Sequence, residues 1–270
     1  MRIRIRLQAA NPWWRRLKRR LRAIGGAALN KTHAVDLAWV NGQRYKRVRF
    51  TDSRQATLIA DALSTLRDTA LFPELLHVQD GDLWLRFVPG VTAASSKADV
   101  EKALNFFVRL YAATGNRVAT AGLGLPGQLD SDLRFLAETG VLSRTDSEAL
   151  RRHAHALCPE TVLLGFDYID PLPKNFVITD AGAVGIDVEA LVCEQPLGQG
   201  LAKLLLRWPD TADPNDILDR YVRAGVDIRA QFPWVQLLFL AAYTKQKVLQ
   251  RKPRHIDSKA LLQLLDPPAA

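Results

Sequence analysis

The residues best suited to chemistry lie between 168 and 189. There the chain reads Tyr168-Ile169-Asp170-Pro171-Leu172-Pro173-Lys174-Asn175-Phe176-Val177-Ile178-Thr179, then Asp180-Ala181-Gly182, then Val184-Gly185-Ile186-Asp187-Val188-Glu189. The pattern predicts a loop, a short apolar strand, a tight turn and a second short strand that ends on a carboxylate. Phosphoryl transfer asks for one carboxylate to position the attacking hydroxyl and accept its proton. It also needs further oxygen donors for the magnesium that neutralises the phosphates. A loop Asp170, an Asn175 five positions later and an Asp187 after a hairpin supply such parts in one compact unit. A local reading stands beside this one, in which Asp170 caps a turn, Asn175 opens a strand and Asp187 closes one.

Other chemistries find little support. His33, His77, His153, His155 and His255 are scattered, with no His-Glu or Cys-His spacing suited to zinc. The sequence has no Gly-x-Ser-x-Gly elbow and no Walker-type phosphate loop. Cys158 and Cys193 are read as separate buried thiols rather than a disulfide, in keeping with a cytoplasmic setting. No run approaches the roughly 18 apolar residues of a membrane-spanning helix, and the first arginines are not followed by the apolar core of a secretory signal.

The elements that must position these residues fall into three parts. Residues 1–24 open on an alternating Arg-Ile-Arg-Ile-Arg-Leu arm. Asn11-Pro12 then reads as the N-cap and first position of a helix. Trp13, Leu17, Leu21 and Ile24 recur at helical spacing among basic residues until Gly25-Gly26, which makes a basic amphipathic helix. Over 25–90 strand signals dominate: 34–40, a turn at Asn41-Gly42, 43–50, a helix over 53–66, a strand at 75–78, a Gln79-Asp80-Gly81 turn, and a strand at 83–88. Over 91–270 the pattern is helical at 99–114, 129–138, 146–157, 198–207, 215–224 and 233–249, interrupted by a strand-rich island at 162–186. With 48% hydrophobic residues, the chain has material for a sizeable core.

Residues 170–175, running into Phe-Val-Ile-Thr, resemble the catalytic loop of protein kinases and of the aminoglycoside and choline phosphotransferases. Ile186-Asp187-Val188-Glu189 resembles the Ile-Asp-x-Glu metal motif of the latter group. The resemblance implies a two-lobed protein-kinase-like α+β fold: a small antiparallel-sheet N-lobe with one helix over 25–90, and a larger, mainly helical C-lobe over 91–270. It implies Asp170 as catalytic base, Asn175 as a magnesium ligand, Asp187 as the principal magnesium ligand, and ATP and magnesium as cofactors. Gly25-Gly26-Ala27-Ala28-Leu29-Asn30-Lys31-Thr32 is similar to the small-residue hairpin that covers the nucleotide phosphates, which assigns Gly26 and Asn30 to the nucleotide. Tyr45-Lys46-Arg47-Val48 resembles the strand whose lysine meets those phosphates, so Lys46 joins the nucleotide-binding set, with Arg47 and Arg49 as competitors for that place. Residues 83–90 resemble the last N-lobe strand and the hinge.

The departures from the pattern are specific. Tyr168 stands where a histidine usually precedes the base by two, and Ile169 stands where Arg or Gly is usual. The helix over 53–66 offers no glutamate to the strand lysine, only Gln55 near that place and Asp61 further on. The missing partners motivate an alternative, a catalytically weak pseudokinase serving as a binding or scaffold module. Asp187 lacks the Phe-Gly of protein kinases, which favours a small-molecule type of enzyme.

The formal charge of +9 sits in one place. Residues 1–24 hold nine Lys and Arg and no acid, and the 28 bases that remain equal the 28 acids of the chain. A polycationic aminoglycoside is best met by an acidic cleft, which a balanced body with a basic arm does not offer. Trp13-Trp14 beside a cationic helix is what an interfacial anchor needs, since each Lys or Arg near an anionic leaflet contributes about 1 kcal/mol. A kinase-like fold with such an anchor resembles the lipopolysaccharide-core sugar kinases of bacteria. That implies a sugar or glycolipid acceptor at the inner membrane surface. Residues 1–24 are also readable as a helix packed on the body, or as an arm for nucleic acid. The body has no recognisable nucleic-acid module, so nucleic acid is not the expected partner.

Overall fold

The computed structural model describes residues 34–40, 42–94, 96–208, 213–252 and 258–265. The expected basic helix after Asn11 and the small-residue segment with Gly26 and Asn30 lie outside the described residues.

Strands β1 (Ala34–Val40) and β2 (Gln43–Arg49) pair antiparallel from Ala34↔Arg49 to Val40↔Gln43, with Gly42 at φ 78°, where glycine is unstrained. Helix α1 (Ser53–Thr65) starts at Asp52, whose side chain accepts the Arg54 amide at 2.9 Å, and buries Ala56, Ile59, Ala60, Ala62 and Leu63. Strands β3 (Leu75–Gln79) and β4 (Asp82–Arg86) join through Asp80 at φ 50° and Gly81 at φ 81°, the two positive values that a tight hairpin turn of the primed type needs. The sheet order is β1-β2-β4-β3. Strand β2 is therefore central, and Lys46 sits between Leu37 and Leu85.

The rest of the chain runs β5 (Val91–Thr92), α2 (Lys97–Thr114), β6 (Asn116–Ala119), α3 (Leu125–Glu138), α4 (Arg144–Leu157), β7 (Thr161–Tyr168), β8 (Phe176–Thr179), β9 (Gly182–Gly185), β10 (Leu191–Pro196), α5 (Gln199–Arg207), α6 (Pro214–Arg223), α7 (Phe232–Leu249) and α8 (Ser258–Leu262). Two small antiparallel sheets, β10-β7-β6 and β5-β8-β9, carry the strand-rich island. The expected strand over 83–88 stops at Arg86, and the chain crosses through Gly90 to pair β5 with β8. Gly90 has φ 148°, and a Cβ there would lie 2.5 Å from Val177 Cγ1 and 2.8 Å from the Ile178 carbonyl oxygen. Only glycine allows that crossing.

Beneath the island lies an aromatic core. Phe106 of α2 sits 5.2 Å from Phe176 and 5.5 Å from Tyr168, while Phe72 packs edge-on to Tyr168 at 5.7 Å, all between ring centroids. Such pairs add about 0.5–1.5 kcal/mol each beyond their burial. The loop that leaves β7 at Tyr168 thus departs from a fixed point. Among the described residues no helix is long and apolar enough to cross a membrane, and Cys158 and Cys193 are free thiols.

Candidate active site

Past Tyr168 the chain turns sharply. Pro171 and Pro173 restrict φ, and the turn closes through Leu172 N–H to the Asp170 carbonyl and Asn175 N–H to the Leu172 carbonyl, both at 2.8 Å. The Trp208 indole N–H donates to the Pro171 carbonyl at 2.7 Å, pinning the bend from below. Within it Asn175, 6% exposed, donates through Nδ2 to Asp170 Oδ2 at 2.9 Å and to the Asp170 carbonyl at 2.8 Å. With Nδ2 committed, Oδ1 is the oxygen Asn175 offers to a cation. The Asp170 side chain remains one-third exposed, at 33%.

Tyr168 ties this loop to Asp187. Its hydroxyl donates to the Asn175 carbonyl at 3.0 Å and accepts from the Asp187 N–H at 3.1 Å, while the Ile186 N–H donates to the same Asn175 carbonyl at 2.8 Å. Burial first, and the charge of Asp187 second, push the Tyr168 phenol well above its ordinary range, so it stays a neutral donor and acceptor. The residue that replaces the expected histidine is thus a bridge between the two loops. Glu189 follows in a 3-10 turn over Val188–Ala190.

Strand alternation separates the three cations of β2. Arg47 and Arg49 point to one face, where their Nε atoms grip buried Asp82 at 2.7 and 3.0 Å. Lys46 points to the other and donates through Nζ to the Ile186 carbonyl at 2.5 Å. It therefore reaches the backbone immediately before Asp187. Asp61, the acid that α1 offers, instead bears on Cys193, whose thiol is pushed up by burial first and then by Glu194 and Asp61.

Two residues of the site carry no motif. Asp167 is fully buried and accepts from the Tyr111 hydroxyl at 2.9 Å, the Tyr168 N–H at 2.8 Å and the Gly200 N–H at 3.0 Å. Burial raises its pKa to about 6 against the pull of those hydrogen bonds. A Cβ on Gly200 would lie 2.4 Å from the Tyr168 carbonyl oxygen and 2.5 Å from Asp167 Oδ1, so α5 begins hard against β7. Lys203, one turn on, donates to Asp170 Oδ1 at 2.5 Å and to the Ile169 carbonyl at 3.0 Å. The signals in the sequence were an acid inside an apolar strand and Gly198-Gln199-Gly200 ahead of an apolar helix.

A small antiparallel sheet with one helix, joined by a short crossing strand to a mainly helical part that carries this loop pair, is the protein-kinase-like fold. Solved structures of phosphotransferases agree. A choline kinase from Streptococcus pneumoniae superposes with a TM-score of 0.59 at 14% identity, over 94% of this chain and 97% of that one. A thermostable mutant of an aminoglycoside phosphotransferase, in ternary complex with ADP and hygromycin B, gives 0.61 at 13% identity over 90% and 93%. A macrolide 2'-phosphotransferase from Brachybacterium faecium gives 0.54 at 15% identity over 90% and 91%. No family model matches the sequence, and no curated protein matches it. At these identities the likeness establishes the fold alone.

Proposed function

We propose that this chain is a magnesium-dependent phosphotransferase that moves the γ-phosphoryl group of ATP to a hydroxyl of a small molecule or glycolipid. The observation that carries this reading is one unbroken run of hydrogen bonds: Lys46 to the Ile186 carbonyl, Ile186 N–H to the Asn175 carbonyl, and Asn175 Nδ2 to Asp170. It gathers a sheet lysine, an amide side chain and the Asp170 carboxylate from distant positions in the chain, with Asp187 the residue next to Ile186. In this reading Asp170 orients the acceptor hydroxyl and takes its proton, held in place by Asn175 and Lys203. Lys46 meets the nucleotide phosphates, and Gly26 and Asn30 belong to the segment that covers them.

The oxygen donors suit a hard cation. Among the described residues no group of three or more His, Cys, Asp or Glu is gathered for a metal. Magnesium is commonly held by one or two protein oxygens together with substrate phosphates, and Asn175 Oδ1 and the Asp187 carboxylate are such a pair. When bound it neutralises phosphate charge. The ADP and hygromycin B complex of the aminoglycoside phosphotransferase supports a nucleotide and a small acceptor here. The nine bases of residues 1–24, with Trp13 and Trp14, support work at the cytoplasmic face of the inner membrane on a lipopolysaccharide-type sugar or glycolipid. Transfer of labelled γ-phosphate to fractionated lipid and sugar extracts tests the reading. Asp170→Asn should lower transfer by about 10²-fold or more and leave nucleotide binding intact. Transfer at the parental rate would refute it.

A second reading has one observation in its favour. The Lys203–Asp170 ion pair at 2.5 Å engages the carboxylate that would take the proton, which suits a nucleotide-binding module without turnover. Tight Mg-ATP binding with neither hydrolysis nor transfer would decide for it.

A further inference from the structure

The flank of Asp170 that faces α5 and α7 carries positive charge that positioning the base does not use. Each of these helices presents two side chains one turn apart: Lys203 and Arg207 from α5, Tyr243 and Lys247 from α7. The Tyr243 ring is their common platform. Lys247 Nζ lies 4.6 Å from its centroid, Arg207 Cζ 5.3 Å and Lys203 Nζ 6.0 Å, and the Arg207 guanidinium donates to the Tyr243 hydroxyl. Lys203 pairs with Asp170. Arg207 and Lys247 have no carboxylate partner among the described residues, and half-buried Lys247 is pushed down by burial first and then by Lys252, Lys203 and Arg207, with Asp170 opposing.

We propose that this cluster is the docking site of the acceptor, and that the acceptor is an oxyanion, carrying a phosphate or carboxylate beside the hydroxyl that is phosphorylated. The proposal rests on the phosphotransferase reading. Lys46 approaches Asp187 from the sheet, whereas the cluster reaches Asp170 from α5, so the two positive groups serve different molecules. An oxyanion seated between Arg207 and Lys247 supplies the negative charge the cluster lacks, with the planar guanidinium able to grip two oxygens at once. The acceptor hydroxyl oxygen then bonds the γ-phosphorus as the bond to the β-phosphate oxygen breaks. ADP leaves with that electron pair, and the hydroxyl proton passes to Asp170. A cationic alcohol such as choline is repelled from the same place.

The test uses the full chain saturated with Mg-ADP and a brief amine acylation whose extent at Lys247 is read by mass spectrometry. Glycerol, glycerol 3-phosphate, glycerate and choline are added in parallel, with phosphatidylglycerol and phosphatidylcholine vesicles as separate arms. Glycerol 3-phosphate or glycerate should protect Lys247 at concentrations at least about 10-fold below glycerol, with choline inert, and the better of the two names the oxyanion. Arg207→Gln should raise the protecting concentration about 10-fold and leave the Mg-ATP thermal shift unchanged. Equal protection by glycerol and the anions, no protection by either, or protection confined to phosphatidylglycerol vesicles would overturn the proposal while the phosphotransferase reading stands. Absence of any Mg-ATP shift in the parent would overturn that reading and the acceptor site with it.

Discussion

Replacing Tyr168 by phenylalanine removes a single oxygen from a ring that stays packed on Phe72, Phe106 and Phe176. Two hydrogen bonds go with it, at 3.0 Å to the Asn175 carbonyl and at 3.1 Å from the Asp187 N–H. The Asn175 carbonyl keeps the Ile186 N–H at 2.8 Å and is not orphaned. The damage therefore falls on the Asp187 amide. A net hydrogen bond is worth about 1 kcal/mol and a buried amide left unsatisfied costs about 1–3 kcal/mol, so the expected loss of stability is about 1–3 kcal/mol. For a chain of this size that lowers Tm by roughly 2–4 °C per kcal/mol, and thermal unfolding should drop by about 2–12 °C. The stabilisation by Mg-ATP should shrink more than that by metal-free nucleotide, because the freed amide belongs to Asp187. A variant as stable as the parent, with the full Mg-ATP effect, would mean that the hydroxyl does not join the two loops.

Asp167 gives a pH-dependent outcome. Its pKa is raised from 3.8 to about 6 in the folded chain, so its contribution to stability is present below about 4 and is lost as pH rises through about 6. The shift corresponds to roughly 3 kcal/mol, and Asp167→Asn should flatten that part of the fall in Tm between about pH 4 and pH 7. Deleting residues 1–22 removes nine bases and leaves 28 against 28 acids, so the shortened chain should lose cosedimentation with anionic vesicles and keep nucleotide binding. For the full chain, vesicle binding that combines indole insertion and charge should weaken with salt and persist in part. A steep log-linear loss on nucleic acid, with vesicles ignored, would reassign the arm.

Much of this was legible in the residues, for reasons that differ from element to element. Strands β1 to β4 announce themselves through turn chemistry at Gly42, Asp80 and Gly81, and helix α1 through one buried apolar face. The Asp170, Asn175 and Asp187 set was legible because loop, strand, turn and strand follow within twenty residues. Strand β5 is two residues long and β6 is a short Asn-Arg-Val-Ala segment, so neither has a period to read. In β10 the bulge between Val192 and Gln195, with Glu194 at φ 53°, breaks the alternation. Lys203 and Asp167 stayed hidden because their partners are far along the chain: Asp170 is 33 positions from Lys203, and Gly200 is 33 from Asp167. Tyr168 read as a missing histidine, and only its two hydrogen bonds reveal it as a bridge.

In the proposed function Asp187 and Asn175 hold magnesium against a nucleotide beside Asp170. Calorimetric titration of ATP with and without magnesium, on the parent and on Asp187→Ala, separates that arrangement from a metal held elsewhere. Magnesium should tighten ATP binding in the parent by about 10-fold or more, and this gain should vanish in Asp187→Ala while metal-free ATP binding survives. An undiminished magnesium effect in the variant would contradict it and place the metal elsewhere, with Glu189 the next residue to replace.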